Sequence, residues 1–279
     1  MKIAIVVHHN RPLAHELARE SAEWLQSAGH SVVLPGDDAD VSQLGYLGVD
    51  ESALSGDVDV MVSLGGDGTM LRSVQYAGDA GTPILGVNIG QLGYLTHIEP
   101  GELRPALGRV LDGSFGVEER MTLAIECRGT MHRALNEAVV EKNRLGHTVR
   151  LAVSFDDEYF ATYAADGLIV ATPTGSTAYS LSARGPIVSP IHRALVFTPV
   201  SPHMLFDRSI VLDPTSTVRL ENAGERPAAL SIDGRNMADD LERGEVIKIT
   251  SGQHPVRLVT LDHRNFHSIL KAKFGLPDR

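Results

Sequence analysis

The sequence predicts an α/β domain built on a parallel sheet with flanking helices, followed by an all-β domain and a final helix. Three observations carry that expectation. Strand-like and helix-like segments alternate over the first hundred residues. From about residue 115 the pattern changes to short strands separated by turns. Beyond those strands, Phe266 to Phe274 is helical in pattern and is expected to return to the first domain. The division drawn is 1–115 with 262–279 for the α/β part and 116–261 for the β-rich part.

Ile3 to Val7 is an unbroken apolar run, as expected of a buried strand. Leu13, Leu17, Ala18, Ala22 and Leu25 recur at helical spacing, and Gly29 can end that helix. Val32 to Leu34 is a second strand. Residues 35 to 57 are acidic, small and weakly patterned, which predicts a functional loop or lid. Val58 to Leu64 and Ile84 to Asn88 are the third and fourth strands, with a helix over Thr69 to Ala77 between them. Such sheets take ligands at the carboxyl ends of their strands. Asp67 lies at one such end; His8, His9, Asn10 and Arg11 lie at another, where a solvated loop is preferred over phosphate contact.

In the second region, Thr122–Cys127 and Met131–Glu141 flank a hairpin turn at Arg128-Gly129-Thr130. Val149–Phe155 and Tyr159–Ala164 flank another at 156–158. Further strands are expected over Leu168–Ala171, Ala194–Pro199, Val218–Glu221, Ala228–Ile232, Glu245–Thr250 and Val256–Leu261.

Composition narrows the function. A net charge of −10 argues against a general nucleic-acid binder. An acidic chain that binds phosphates must concentrate basic residues or metal ions at the site. The single cysteine, Cys127, excludes an intrachain disulfide framework and a Cys-rich zinc site, and reads as a small core residue. No apolar run approaches the length of a membrane span, and the N-terminus lacks a signal-peptide pattern. A soluble cytoplasmic protein with no membrane partner is the expectation.

The most informative residues are Gly65-Gly66-Asp67-Gly68-Thr69, between a strand and a helix. Glycines let the backbone approach a phosphate, and free N–H groups at the helix start face the anion. A carboxylate there repels phosphate unless it holds a metal or removes a proton from an attacking hydroxyl. That points to phosphoryl transfer; the plain alternative is a tight turn with Asp67 as a helix cap. The order is neither that of a P-loop nor of G-x-G-x-x-G. A second stretch, Asp166 to Ser182, runs a buried strand into the Thr/Ser/Gly-rich Thr172-Pro-Thr-Gly-Ser-Thr177. Small hydroxyls beside glycines suit the ribose and phosphates of a nucleotide, and Tyr179 is placed to stack on a base or to fill the core. Asn136-Glu137 sits inside an apolar strand, Ala134 to Val140, where it must either find partners or face solvent. Asp233-Gly234 is a turn or a site carboxylate.

Together these motifs resemble the bacterial members of the ATP-NAD kinase family. The likeness covers essentially the whole length and includes G-G-D-G-T at 65–69, Asn136-Glu137, Asp166 to Ser182, Thr198 to His203 and Asp233-Gly234. It implies an α/β nucleotide-binding domain, a β-rich NAD-binding domain with the active site between the two, and a C-terminal segment returning to the first. It implies transfer of a phosphoryl group, from ATP or polyphosphate, to the 2′-hydroxyl of the adenosine ribose of NAD, with a divalent cation, magnesium first, and a homodimer or homotetramer. By that resemblance Asp67 is the catalytic base, and Gly65, Gly66, Gly68 and Thr69 form the phosphate turn. Asn136 and Glu137 contact NAD, Glu137 near a ribose, and Asp166 falls at the nicotinamide contact. Thr174, Thr177, Ala178, Tyr179, Ser180, Leu181 and Ser182 line the adenosine side. Ser201 is a backbone contact, Asp233 a carboxylate near the reacting ribose, and Arg72 and His147 lie near phosphate.

Two departures stand out. Ala183-Arg184-Gly185-Pro186 replaces the family's A-G-G-P, and Ala164-Ala165 replaces a basic residue before Asp166-Gly167. The rivals are another G-G-D-G kinase, of the phosphofructokinase or diacylglycerol kinase type, and a silent dinucleotide-binding module.

Overall fold

Ile3 to Val7 are all fully buried, because this strand lies in the interior of a sheet. In the computed structural model, which describes residues 1–90, 93–96, 98–144, 146–261 and 266–276, β1 (Lys2–Val7) pairs in parallel with β2 (Ser31–Pro35) on one side and β4 (Val60–Gly65) on the other. The short β3 (Gly48–Val49) lies outside β2, and β5 (Ile84–Asn88) beside β4. The full order is β3-β2-β1-β4-β5, then Val256–Thr260, then β6 (Gly116–Arg120). Strand order reverses between β1 and β4, so the crevice at their carboxyl ends is the expected ligand position.

Helix α1 (Pro12–Ser27) has proline in its first turn and buries Ala14, Ala18, Ala22 and Leu25 on one face. Helices α3 (Asp67–Ala77) and α4 (Leu103–Leu111) do the same with Met70, Val74 and Ala77, and with Leu103, Ala106, Leu107 and Val110. The expected loop over 35–57 is instead built into the fold. It forms α2 (Gly36–Val41), single 3-10 turns at Gly45–Leu47 and Glu51–Leu54, and β3. Ala39, Leu44, Leu47 and Leu54 are buried. Their apolar spacing was too irregular to reveal a packed segment.

The chain divides into residues 1–119 with 256–279, and residues 120–255. The second unit holds two antiparallel six-stranded sheets. Its strands are β7 (Leu123–Cys127), β8 (Thr130–Ala134), β9 (Glu137–Lys142), β10 (Val149–Phe155), β11 (Glu158–Ala165) and β12 (Gly167–Ala171). After the four-residue helix α5 (Tyr179–Ser182) come β13 (Leu195–Val200), β14 (Ile210–Leu212), β15 (Val218–Asn222), β16 (Ala228–Ile232), β17 (Arg235–Leu241) and β18 (Val246–Ser251). One sheet runs β11-β10-β15-β18-β7-β8, the other β14-β13-β12-β9-β16-β17. One apolar core draws on both, with Ile125, Leu151, Val153 and Tyr163 from the first and Val140, Leu168, Phe197 and Leu230 from the second. Cys127 is buried in it, as expected.

Two sequence readings change here. Met131 to Glu141 is not one strand: β8 ends at Ala134, and β9 begins at Glu137 in the other sheet. Val256–Thr260, now β19, does not join the β-rich sheets; it pairs in parallel with β5. A buried apolar strand has the same sequence pattern in either setting. The chain ends in α6 (Phe266–Phe274). Among the described residues no helix is long and apolar enough to cross a membrane.

Candidate active site

In the first unit the site is built around the turn between β4 and α3. Gly65 is tied to the fold by necessity: a Cβ there would fall 2.1 Å from Thr69 Oγ1. Thr69 is buried beneath the turn. Gly66 and Gly68 differ, since a Cβ on either would meet nothing within 4 Å. These two leave the open face of the turn clear for an approaching group. Asp67 opens α3 as its first residue, and Gly66 is the N-cap. The Asp67 side chain reaches across to the segment after β5. Its Oδ2 accepts the Tyr94 N–H and its Oδ1 the Leu95 N–H, each at 3.0 Å. A carboxylate has about four lone-pair sites, so each oxygen keeps one for a hydroxyl proton. Burial, and then the Asp67 charge, push the Tyr94 phenol up from its ordinary value. Lys273 of α6 lies over the Tyr94 ring, 4.4 Å from its centroid.

Arg72 stands one helical turn further along α3. Its Nη2 donates to both oxygens of Asp38, the longer contact at 2.6 Å, and to the Val7 carbonyl at 3.3 Å. Asp38 is only 1% exposed and also binds the Val7 N–H at 2.6 Å and His9 Nε2 at 2.7 Å. A buried carboxylate therefore fixes the guanidinium at the carboxyl end of β1. Sequence reasoning missed Asp38, because it lay in the stretch read as a loop.

In the second unit, two stretches distant in sequence converge on the crossing from β8 to β9. Asp233, at φ +48°, and Gly234, at φ +75°, form the two-residue turn between β16 and β17. The Asp233 carboxylate accepts the N–H groups of Leu135, Asn136 and Glu137 at 2.8, 2.7 and 3.1 Å. It is thus both turn residue and site carboxylate, and it satisfies the backbone that would be orphaned where the chain changes sheets. Burial pushes its carboxyl up, against the pull of those three hydrogen bonds. From the other side, Thr172 Oγ1 donates to the Leu135 carbonyl at 2.6 Å, and the Thr172 N–H to that of Asn136 at 2.8 Å. Gly175 packs so closely on Asn136 that a Cβ would lie 2.1 Å from its carbonyl oxygen. Asn136-Glu137 is therefore neither within a continuous strand nor solvated at an edge.

Glu137 is 6% exposed, and its Oε2 is buried without a hydrogen-bond partner among the described residues. The Tyr179 backbone N–H favours the ionised form of its carboxyl. Burial, and then the neighbouring Asp233 charge, push Glu137 up to about 8. At neutral pH it is a carboxylic acid, able to donate one hydrogen bond and accept others. It lines a cavity of about 600 Å³ with Glu141, Lys142, Tyr179, Asn236 and Asp239. Tyr179 is 38% exposed at its rim, and burial pushes its phenol up. Lys142, Asn236 and Asp239 were not singled out from the sequence; no local pattern marks them.

The remaining predicted residues divide. Thr174 is buried and accepts from Arg120 Nη1 at 3.4 Å, and Thr177 Oγ1 donates to its carbonyl at 3.1 Å. Ser180 is buried with Oγ 3.0 Å from Thr198 Oγ1. Ala178 and Leu181 are half-buried and Ser182 exposed. Asp166, between β11 and β12, holds Lys142 Nζ at 2.6 Å, so β9 supplies a cation beside the Ala164-Ala165 departure. Ser201 follows β13 at φ +46°, an uncommon conformation for a non-glycine residue. His147 precedes β10 in the other sheet and is not among the residues gathered at Glu137. A larger groove, about 780 Å³, lies against α1 and α4. It brings together none of the predicted site residues, so chemistry favours the smaller cavity.

Comparison with known proteins identifies the family. Residues 3–115 match the model of the ATP-NAD kinase N-terminal domain, and residues 135–261 that of the ATP-NAD kinase C-terminal domain. The chain is 39% identical to an NAD kinase of Moorella thermoacetica, over 98% of this chain and 88% of the relative. It is 40% identical to an NAD kinase of Symbiobacterium thermophilum, over 98% and 99%. Among solved structures, a yeast NADH kinase complexed with NADH superposes with a TM-score of 0.89 at 25% identity, over all of this chain and 89% of that one. The fold also matches an NAD kinase from Archaeoglobus fulgidus in complex with ATP, with a TM-score of 0.78 at 24% identity over the whole of both chains. Two family models in succession and full-length relatives of this identity make the chain a member of the ATP-NAD kinase family.

Proposed function

We propose that the chain phosphorylates NAD to NADP, passing the γ-phosphoryl group of ATP to the 2′-hydroxyl of the adenosine ribose. The observation that carries this reading is a carboxylate, Asp67, held by two backbone N–H groups beside two glycines whose open face admits a phosphate. Asp67 accepts the hydroxyl proton as the ribose oxygen attacks the γ-phosphorus. The new O–P bond forms as the bond from that phosphorus to the β,γ-bridging oxygen breaks, and ADP leaves. The second unit holds the dinucleotide. Tyr179 and the 172–182 segment receive the adenosine, and Glu137, as a neutral acid, hydrogen-bonds a sugar hydroxyl.

The described residues include no group of three His, Cys, Asp or Glu side chains that could hold a metal ion. A divalent cation carried on the donor's phosphates would neutralise charge during transfer. The α3 N-terminus and its glycines add backbone N–H groups to that neutralisation.

The test is NADP formation from NAD, ATP and magnesium by the wild type and by Asp67→Asn. A positioned base is worth about 10²–10⁴-fold in rate, so the variant loses that factor while its NAD affinity stays within a few-fold. Equal turnover in the two proteins would remove Asp67 from the role of base.

A further inference from the structure

A second concavity in the β-rich unit has a chemistry of its own. It lies at one end of three adjacent antiparallel strands, where β10 begins, β15 ends and β18 begins. Buried Asn222 builds it. The Asn222 Nδ2 donates to the carbonyls of Arg226 and Leu241 at 2.9 and 2.8 Å, and its Oδ1 accepts the Gly224 N–H at 3.0 Å. Its backbone carbonyl accepts the Gly244 N–H at 2.7 Å, and the Ala223 N–H reaches the Arg150 carbonyl at 2.9 Å. One buried amide thus ties the 222–226 loop to the turn between β17 and β18. Gly224 keeps the loop close to β10: a Cβ there would lie 3.4 Å from Arg150 Cβ.

The space so framed is about 360 Å³, and its lining includes Arg150, Arg226, Arg243, Thr148 and Glu225. Three arginines and one glutamate line it, in a chain whose net charge is −10. Among the described residues none of the three arginines is in an ion pair. Arg128 and Arg72, by contrast, are held by carboxylates, the first by Asp240 and Glu245 and the second by Asp38. All three lining arginines are exposed, so their mutual repulsion is screened by solvent, and together they give the concavity a positive potential that attracts anions. Guanidinium forks match phosphate oxygens. They project from a strand, a loop and a turn, so an extended anion satisfies them better than a single phosphate. The volume falls at the small end of the roughly 300–1,000 Å³ of ligand pockets.

We propose that this pocket binds an oligophosphate, a chain of two or three phosphoryl groups, separately from the cavity at Glu137. The same chemistry is offered by inorganic polyphosphate and by the phosphate tail of a nucleotide. None of the lining residues belongs to the proposed catalytic or dinucleotide site, so ligand here would act as a second occupant rather than as the reacting donor.

The experiment is calorimetric titration of the full chain with tripolyphosphate at fixed ionic strength, comparing wild type with Arg226→Gln/Arg243→Gln. We expect the double variant to bind one equivalent fewer, or that equivalent about a hundredfold more weakly, at roughly tenfold per arginine. Glu225→Gln should tighten the same equivalent a few-fold, a change that general disruption of the loop would not produce. NADP formation should be unchanged in both variants. Repeating the titration with ATP separates the sources: equal affinity assigns the phosphate chain alone, and tighter ATP binding assigns a nucleotide. Identical tripolyphosphate isotherms in wild type and double variant would overturn the proposal. NADP formation by the wild type is scored independently, so failure of the catalytic reading would be seen as such.

Discussion

At the scale of single residues, Glu137 shows how position sets chemistry. Its Oε2 is buried and unpartnered, and Asp233 lies nearby, so its proton is retained up to about pH 8. An unfolded glutamate ionises near its model value of 4.5. The folded state therefore binds more protons between those two values, and stability falls as pH rises through that window. The contribution is fully present below about pH 4.5 and lost above about pH 8, and is on the order of a few kcal/mol. Glu137→Gln should remove that loss, so urea midpoints measured from pH 5 to 8 should slope less steeply in the variant. Parallel slopes in the two proteins would show that Glu137 ionises normally. The Asn136-Glu137 pair was visible in the sequence as polar residues among apolar ones. That its amides are held by Asp233, nearly a hundred positions away, was not.

At the scale of elements, the segment after β12 is a tight turn that opens a short helix. The 3-10 turn Gly175–Thr177 runs directly into α5, which ends with the Gly185 N–H on the Ser180 carbonyl at 2.7 Å. Gly185 admits no side chain, since a Cβ would lie 2.2 Å from Ser180 Oγ. Arg184, the departure from the family's glycine pair, sits just before it at φ +67°. That left-handed conformation costs a non-glycine residue about 1–2 kcal/mol, partly offset by the lower unfolded-state entropy of arginine. Arg184→Gly should therefore stabilise the protein by about 0.5–1 kcal/mol, read as a higher urea midpoint at unchanged slope. A lower midpoint would mean that the exposed arginine side chain makes a contact worth more than the strain.

At the scale of the whole molecule, the chain leaves the first unit after β6 and re-enters it as β19, an interior strand between β5 and β6. The second unit is continuous in sequence and has a core drawn from its own two sheets. Residues 120–255 alone should therefore fold with a cooperative thermal transition, whereas residues 1–119 alone, lacking β19, should not. Cooperative unfolding of the 1–119 fragment would show β19 to be dispensable. The sequence by itself determined the alternation of the first hundred residues, the β-rich character that follows and the G-G-D-G-T turn, because each rests on local periodicity or local backbone need. It also determined membership of the family, through motifs long enough to be specific. Only the tertiary structure decided that 35–57 packs, that β19 joins the parallel sheet, that Asp38 anchors Arg72, and that Asp233 and Thr172 clamp Asn136-Glu137. Those outcomes depend on which buried polar groups find each other across distant segments. A partner for a buried carboxylate is fixed by three-dimensional proximity and desolvation, neither of which leaves a period or a spacing in the chain.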